Sequence, residues 1–452
     1  MDSCRVKIID SYVSSGKTQW AINYINSLDV DTKIIFITPF LSECDRIIEG
    51  CARTFTQPDV KLGRGRKMDH LIKLVIEGVD IVSTHALFSN INDELLNALR
   101  YNDYVLFLDE TMGVVENFDL YKWDRISDED KEKTIRDDIL YLKELGVINV
   151  KEDFSIEWLG DDKLGKYLQL KQLADRGLLY FVNDSLLIWS FPIEVFMDGI
   201  FSEIYIMTYL FDHQIQSLYY DYFGLEYSIH HIEKINDQYE IVLTENNDQD
   251  LAWKHRMRDL VTIVENDKLN KIGNSYCNAS NHLIESSLSK TWFMNNPQLI
   301  EKLGNHIANF FKHYTDSKSN ERLWTCFKSD IPNLKRNGVS QLQWLEITSR
   351  ATNDYSDRNV LAYCVNRYPN PFFEHFFNKR NIVIDKDKYA LSEMIQWIWR
   401  SAIRNEEPII IYIPSERMRK LFKMWLLIEE IQEPASNTTR SRRIRENSSK
   451  YC

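Results

Sequence analysis

Glycine and proline are scarce in this chain, 15 and 10 among 452 residues. That scarcity excludes collagen-like and low-complexity chains. With 44% hydrophobic residues it leaves a globular polypeptide able to bury a large core, in two or three domains by length. Long apolar runs are missing, and stretches such as Ile34–Leu41 are far too short to cross a bilayer, so no membrane partner is expected. The seven cysteines are scattered, odd in number and without a C-x-x-C pair, which argues against a disulfide framework or a zinc ribbon. Met1-Asp2-Ser3 leads straight into strand-like sequence without signal-peptide architecture, so the expected setting is a reducing cytoplasm. A positive excess is missing too, since the net charge is −12. This does not exclude nucleic acid, because a local positive groove matters more than the sum. Basic clusters stand at Arg64-Gly-Arg66-Lys67 and in the tail Arg440-Ser-Arg442-Arg443-Ile-Arg445.

Short apolar runs alternate with amphipathic stretches through the first half, the pattern of an α/β fold with a parallel sheet and crossover helices. Strands are predicted at Val6–Ile9, Lys33–Ile37, Asp80–Ser83, Tyr104–Leu108 and Ile204–Thr208, each ending at a polar residue. Residues 1–225 are read as a first lobe with a helical insertion at about 119–199, including a helix from Leu164 to Leu179. Residues 226–290 are read as a hairpin and linker region, and 291–432 as a second α/β lobe. In that lobe strands are predicted at Leu323–Phe327, Trp344–Ile347, Val360–Val365 and Ile409–Ile413, and helices at Asn295–Thr315 and Leu391–Asn405. Residues 433–452 form a polar, basic tail with no apolar face.

The segment Ser11-Tyr-Val-Ser14-Ser15-Gly16-Lys17-Thr18 follows the first strand, and Gln19 continues the helix that it opens. In that context backbone N–H groups cradle phosphate oxygens, Lys17 supplies a point charge to the β- and γ-phosphates, and the Thr18 hydroxyl helps hold Mg²⁺. Ser11 stands where the pattern usually has its first glycine. The fourth strand ends in Asp109-Glu110, and two carboxylates closing an apolar strand are costly unless they meet a cation or water. After a P-loop, Asp109 is the expected Mg²⁺ ligand and Glu110 the group that orients and deprotonates water.

Further polar blocks follow the other strands: Thr38-Pro39 after the second, Ser83-Thr84-His85 after the third, and Thr208-Tyr-Leu-Phe211 after the fifth. Far along stands Gln396-Trp-Ile-Trp-Arg400-Ser-Ala-Ile-Arg404. In order and placement, from Ser11 to Arg404, the set resembles the superfamily 2 helicases, the DEAD/DEAH-like group of motor ATPases, in a form similar to helicase-like proteins of bacteriophages. The resemblance implies two RecA-like P-loop lobes with ATP and Mg²⁺ bound between them. By the same resemblance, Ser11 to Thr18 is motif I and Asp109-Glu110 motif II. Thr38, Pro39, Thr84 and His85 would grip a nucleic-acid backbone, with Arg64 and Arg66 as further contacts. Thr208 would couple hydrolysis to strand movement, and Arg350 and Asn353, in Ser349-Arg-Ala-Thr-Asn353-Asp354, would belong to a variant motif V. Gln396, Arg400 and Arg404 would serve catalysis from the second lobe. They are spaced i, i+4, i+8, on one face if a single helix carries them.

Three departures stand out. Thr111-Met112 follows Asp109-Glu110, so there is no DEAD or DEAH tetrad. Trp399 replaces the glycine before the first arginine, and no adenine-recognition glutamine precedes the P-loop. The expected function is a nucleic-acid-dependent ATPase translocating on, and unwinding, single-stranded or partly duplex DNA or RNA. DNA is the favoured track, host cytoplasm the setting for a phage protein, and replication proteins the possible partners. Two alternatives stay open: a packaging-type motor ATPase, and a catalytically weak P-loop binding protein acting in phage replication or counter-defence. His230-His231 lacks a metal-site pattern and is read as structural.

Overall fold

Five apolar runs of the first half become neighbouring parallel strands in the computed structural model, which describes residues 4–121, 128–160, 165–244, 248–277, 280–348 and 354–428. They are β1 (Val6–Asp10), β2 (Lys33–Thr38), β3 (Ile81–Thr84), β4 (Tyr104–Asp109) and β5 (Phe201–Thr208). The predicted hairpin follows as β6 (Ser228–Ile235) and β7 (Gln238–Leu243). The sheet order is β7-β6-β1-β5-β4-β2-β3, parallel except for the β6–β7 pair. Runs such as Lys33-Ile-Ile-Phe-Ile-Thr38 are buried almost throughout because both sheet faces are covered by packed side chains, and only continuous apolar strands fit there.

Register then does the functional sorting. Asp10 pairs with Thr208, Met207 with Asp109, and Thr38 with Thr84. Each polar block noted in the sequence therefore lies at one carboxyl edge, where open α/β sheets bind ligands.

The insertion carries the expected helices, at Asp128–Glu144 and Leu168–Asp175, and antiparallel strands as well. Val115–Asn117, Leu179–Val182 and Ser185–Trp189 form a three-stranded sheet, and Ile148–Val150 pairs with Ile156–Trp158. The second helix stops at Asp175, short of the predicted Leu179. Gly177 turns the chain with φ 68°, and Leu179 is buried as a strand residue.

The second lobe is a four-stranded, wholly parallel sheet: β8 (Val261–Ile263), β9 (Arg322–Thr325), β10 (Val360–Tyr363) and β11 (Ile409–Tyr412), in the order β8-β11-β10-β9. Residues 226–290, read as hairpin and linker, are instead shared between the sheets: β6 and β7 extend the first, and β8 belongs to the second. No strand forms at Trp344–Ile347, where Trp344 makes a single bridge to Trp324. The helix predicted from Asn295 is α-helical over Pro297–Asn309 and ends in a π-turn at Phe310–Tyr314. The basic tail lies outside the described residues.

Aromatic side chains join the lobes. Tyr12 of the first lobe stacks on Trp253 with centroids 4.6 Å apart, and Tyr209 meets the same indole edge-on at 5.9 Å. Trp399 and Trp425 close the cluster around Trp253. The chain leaving β1 and the chain leaving β5 are thus seated in the second lobe's core.

Candidate active site at the lobe interface

Helix α1 (Lys17–Ser27) begins straight after the loop that leaves β1, with Gly16 as its N-cap in the left-handed region, φ 90°. A Cβ there would run into the Tyr239 ring, so only glycine fits both the angle and the space. Ser14 also has positive φ, 68°, whereas Ser11 does not. The serine that departs from the usual pattern therefore strains nothing. Its Oγ accepts the Ile232 N–H at 2.6 Å, and its own N–H donates to Thr208 O at 3.1 Å. The loop is thereby tied to β6 and to the end of β5.

A cleft of about 280 Å³ lies between the lobes. Ser14, Gly16, Lys17, Thr18, Gln19, Asp109 and Glu110 line it from the first lobe, and Gln396, Arg400 and Arg404 from the second. Ser15 is not in the lining; its hydroxyl is buried without a hydrogen-bond partner. The lobes touch where Ser14 Oγ donates to Arg404 O at 3.3 Å. Lys17 Nζ donates to Ser11 O and Tyr12 O at 2.6 and 2.9 Å.

The three second-lobe residues reach the cleft, but not from one helix. Helix α3 (Lys386–Ile398) ends at Ile398, so Gln396 sits in its last turn. Arg400 lies in the turn beyond, and Arg404 in a short 3₁₀ segment, Ala402–Asn405. The i, i+4, i+8 reading is corrected accordingly. The buried Trp397 and Trp399 flank the helix end, Trp397 packing on Tyr363 and Trp399 on Trp253.

Electrostatics in the cleft follow from burial. Desolvation pushes the Asp109 carboxyl up to about 7, helped by Glu110 and Glu43 and opposed by Lys17 and Arg46. Desolvation likewise raises Asp10 to about 6, against the N–H groups of Leu210 and Phe211 that it accepts at 2.8 and 2.9 Å. Burial holds Lys17 below the ordinary ammonium range, with Glu110, Asp109 and Asp10 opposing. It does the same to Arg404, where Glu43 is the leading opposing charge.

These residues fit a magnesium–triphosphate. Helix α1 has no side-chain cap, so N–H groups of its first turn face an incoming anion. Thr18 and Asp109 are hard oxygen donors, and a carboxyl held near pH 7 by burial ionises most readily beside a cation. Among the described residues no group of three or more His, Cys, Asp or Glu gathers as a metal centre on its own. His231 instead bonds Thr244 and Glu233 at 3.0 and 2.9 Å, and His230 bonds Ser228 at 3.0 Å.

The expected strand contacts divide. Thr38 is buried, and its hydroxyl closes a turn with Phe40 O at 3.1 Å. In that turn Pro39 is half-buried and Phe40 exposed. His85 Nε2 meets Asp109 O at 2.8 Å, so its ring braces the carboxylate strand, beside the half-buried Thr84. Arg64 and Arg66 are exposed in the loop before the Lys67–Glu77 helix. Arg350 and Asn353 lie outside the described residues. Thr208 is buried, with Oγ1 3.1 Å from Glu110 Oε2.

Sequence reasoning gave no role to Asp10, Glu43, Arg46, Tyr209 or Gln214, although Glu43, Arg46 and Tyr209 stand within or beside the polar blocks after the second and fifth strands and line the cleft. Asp10, the last residue of the first strand, carried a signal: an acid closing an apolar run next to a phosphate loop. Gln214, which donates to Thr208 Oγ1 at 3.0 Å and accepts from Thr111 Oγ1 at 2.5 Å, carried none.

Over 426 residues the chain is 39% identical to the protein described as SPbeta prophage-derived uncharacterized protein YonV of Bacillus subtilis (strain 168), spanning 93% of this chain and 98% of the relative. The chain belongs to the YonV family. Two family models agree: the YonV middle domain matches residues 130–189, within the insertion, and the YonV C-terminal Rossmann-like domain matches 255–426. The second match holds β8 through β11 and the residues Gln396, Arg400 and Arg404, while the loop Ser11–Thr18 and Asp109–Glu110 lie outside both. Among solved structures, one titled XPD_Helicase has a TM-score of 0.49 at 11% identity, over 93% of this chain and 94% of that one. Another, titled XPD_APO, has 0.43 at 13%, over 92% and 95%. The DUF1998 helicase MrfA bound to DNA and AMPPNP has 0.32 at 10%, over 95% of this chain and 49% of that one.

Proposed function

We propose that this YonV-family protein is a nucleic-acid-dependent ATPase of the superfamily 2 helicase type. It binds ATP with magnesium between its lobes and translocates on single-stranded or partly duplex nucleic acid, DNA before RNA, in a phage or prophage setting. One observation carries the reading: a phosphate-loop lysine, a strand-end carboxylate pair and two arginines from the other lobe line a single cleft. That is the charge arrangement phosphoryl transfer needs, because negative charge spreads over the terminal oxygens and must be met from several sides.

Bound magnesium would offset part of that charge; the remaining roles fall to the chain. Thr18 and Asp109 hold the ion. Lys17 leaves the Ser11 and Tyr12 carbonyls for the phosphate oxygens. Glu110, oriented by Thr208, positions the attacking water and accepts its proton. Arg400 and Arg404 neutralise the terminal phosphate from the second lobe, so turnover requires both lobes. Opening and closing of the cleft moves the edge turns at Pro39 and Thr84 relative to a bound strand.

The test is phosphate release with and without single-stranded DNA or RNA. Release stimulated severalfold by a single strand is the expected result. No release under any condition, with nucleotide still bound, would favour the non-hydrolysing binding protein instead. The bonds from Lys17 to its own loop's carbonyls are the observation on that side.

A further inference from the structure

We propose that Arg46 is a third arginine of the phosphate site, supplied by the first lobe, and that it recognises the terminal phosphate of a nucleoside triphosphate, exchanging its pairing with Glu43 for that phosphate. The inference deepens the nucleotide reading of the cleft and rests on it.

Glu43 and Arg46 lie on helix α2 (Leu41–Gly50), which begins three residues beyond the end of β2. The helix buries Cys44 and Ile47 against the sheet, and the neighbouring face carries Glu43 and Arg46 into the same cleft that Lys17 and Arg404 line. Sheet order gives the two cations different stations. β4 lies beside β2, while β1 is three strand spacings from β2, roughly 14 Å. Lys17 therefore enters from the β1 side of the Asp109 carboxylate and Arg46 from the β2 side. Both cations act on the Asp109 carboxyl, so an anion that extends from the loop past Asp109 approaches Arg46 with its far end, which a triphosphate has and a diphosphate held in the loop lacks.

The pair itself is a weak reason for the two residues to be there. Arg46 Nη1 stands 3.6 Å from Glu43 Oε2, one turn away on the helix, and the arginine side chain is 48% exposed. Such a pair contributes little to stability. Glu43, at 14% exposure, is the more recessed partner. It is also the leading charge favouring the cationic form of Arg404. One carboxylate thus faces an arginine from each lobe. A terminal phosphate entering between them gives each guanidinium an alternative pair of acceptor oxygens, which its planar fork can bind bidentately.

The test uses the full-length protein and two fluorescent probes with magnesium, a slowly hydrolysed ATP analogue and ADP. Arg46→Ala is expected to weaken the triphosphate about tenfold and ADP less than about twofold, with Arg46→Lys recovering part of the loss. Glu43→Gln is expected to act in the other direction, tightening the triphosphate about twofold to fivefold by freeing both arginines. Equal loss of both nucleotides in Arg46→Ala, or loss of neither while the unmodified protein binds both, overturns the role of Arg46 and leaves the cleft a nucleotide site. Failure of the unmodified protein to bind either probe overturns that reading too.

Discussion

Thr208 ends β5 and Glu110 directly follows the neighbouring β4, and Thr208 Oγ1 donates to Glu110 Oε2 at 3.1 Å. The threonine is held in turn by Gln214, whose amide also takes the Thr111 hydroxyl, so the carboxylate is aimed by a buried chain of hydrogen bonds. The Glu110 backbone has φ 70°, a conformation uncommon for glutamate, and is held by its own N–H, which donates to Met207 O at 2.8 Å. Thr208→Val keeps the side-chain shape and removes the donor. Hydrolysis is expected to fall about tenfold to a hundredfold, with nucleotide affinity within about twofold of the parent. An unchanged kcat would mean that Thr208 does not aim Glu110.

Two substitutions separate binding from chemistry. Lys17→Ala removes the cation bonded to the Ser11 and Tyr12 carbonyls, and on the proposed function it is expected to abolish measurable turnover and weaken ATP. Glu110→Gln is expected to abolish turnover while ATP stays bound, since the amide cannot accept the proton of water. Strand-stimulated hydrolysis that survives Lys17→Ala would refute the phosphate-loop assignment.

Asp109 links the site to stability through pH. Its carboxyl is raised to about 7 in the folded chain from 3.8. Between those values the folded state holds a proton that the unfolded chain has released, so this group's contribution to stability falls as pH rises through the window. Asp10, raised to about 6, acts in the same direction over a narrower range. Asp109→Asn removes the cost of ionisation. Without nucleotide or metal, its Tm should approach the parent's near pH 4 and exceed it near pH 8, by on the order of 2 kcal/mol of stability. An advantage that does not grow with pH would contradict the assigned shift.

Trp253 tests the lobe contact. It is almost wholly buried, stacks on Tyr12, and touches Tyr209, Trp399 and Trp425. Trp253→Ala is expected to cost about 3–5 kcal/mol in denaturant unfolding. It should also speed proteolysis between the lobes, because the loops leaving β1 and β5 lose their seat. Trp253→Phe should recover most of the stability. Full stability in the alanine variant would remove the cluster from any role in joining the lobes.

The first sheet was legible because its strands are buried on both faces and must be apolar throughout. Val6–Asp10, Lys33–Thr38 and Tyr104–Asp109 each stand out for that reason. The second sheet was less so: β8 is only three residues long and follows directly on a charged helix, Asp248–Leu260. Trp344–Ile347 shows the opposite error, where an apolar run serves the core without pairing as a strand. Arg400 and Arg404 were picked out by residue type, yet the helix assumed to carry them ends at Ile398, since hydrophobic periodicity does not report where a helix stops.

Local pattern by itself determined the alternation of strands and helices, the turn at Gly16 that opens the helix at Lys17–Thr18, and the acid pair at the end of β4, Asp109–Glu110. Each is a matter of neighbours along the chain. Strand order and lobe packing decided the rest. β5 inserts between β1 and β4, so Thr208 comes beside Glu110 from 98 positions away. Docking of Tyr12 and Tyr209 on Trp253 brings Arg404 to Ser14 across 390. Those encounters depend on which apolar faces bury one another, and spacing along the chain carries no trace of that choice.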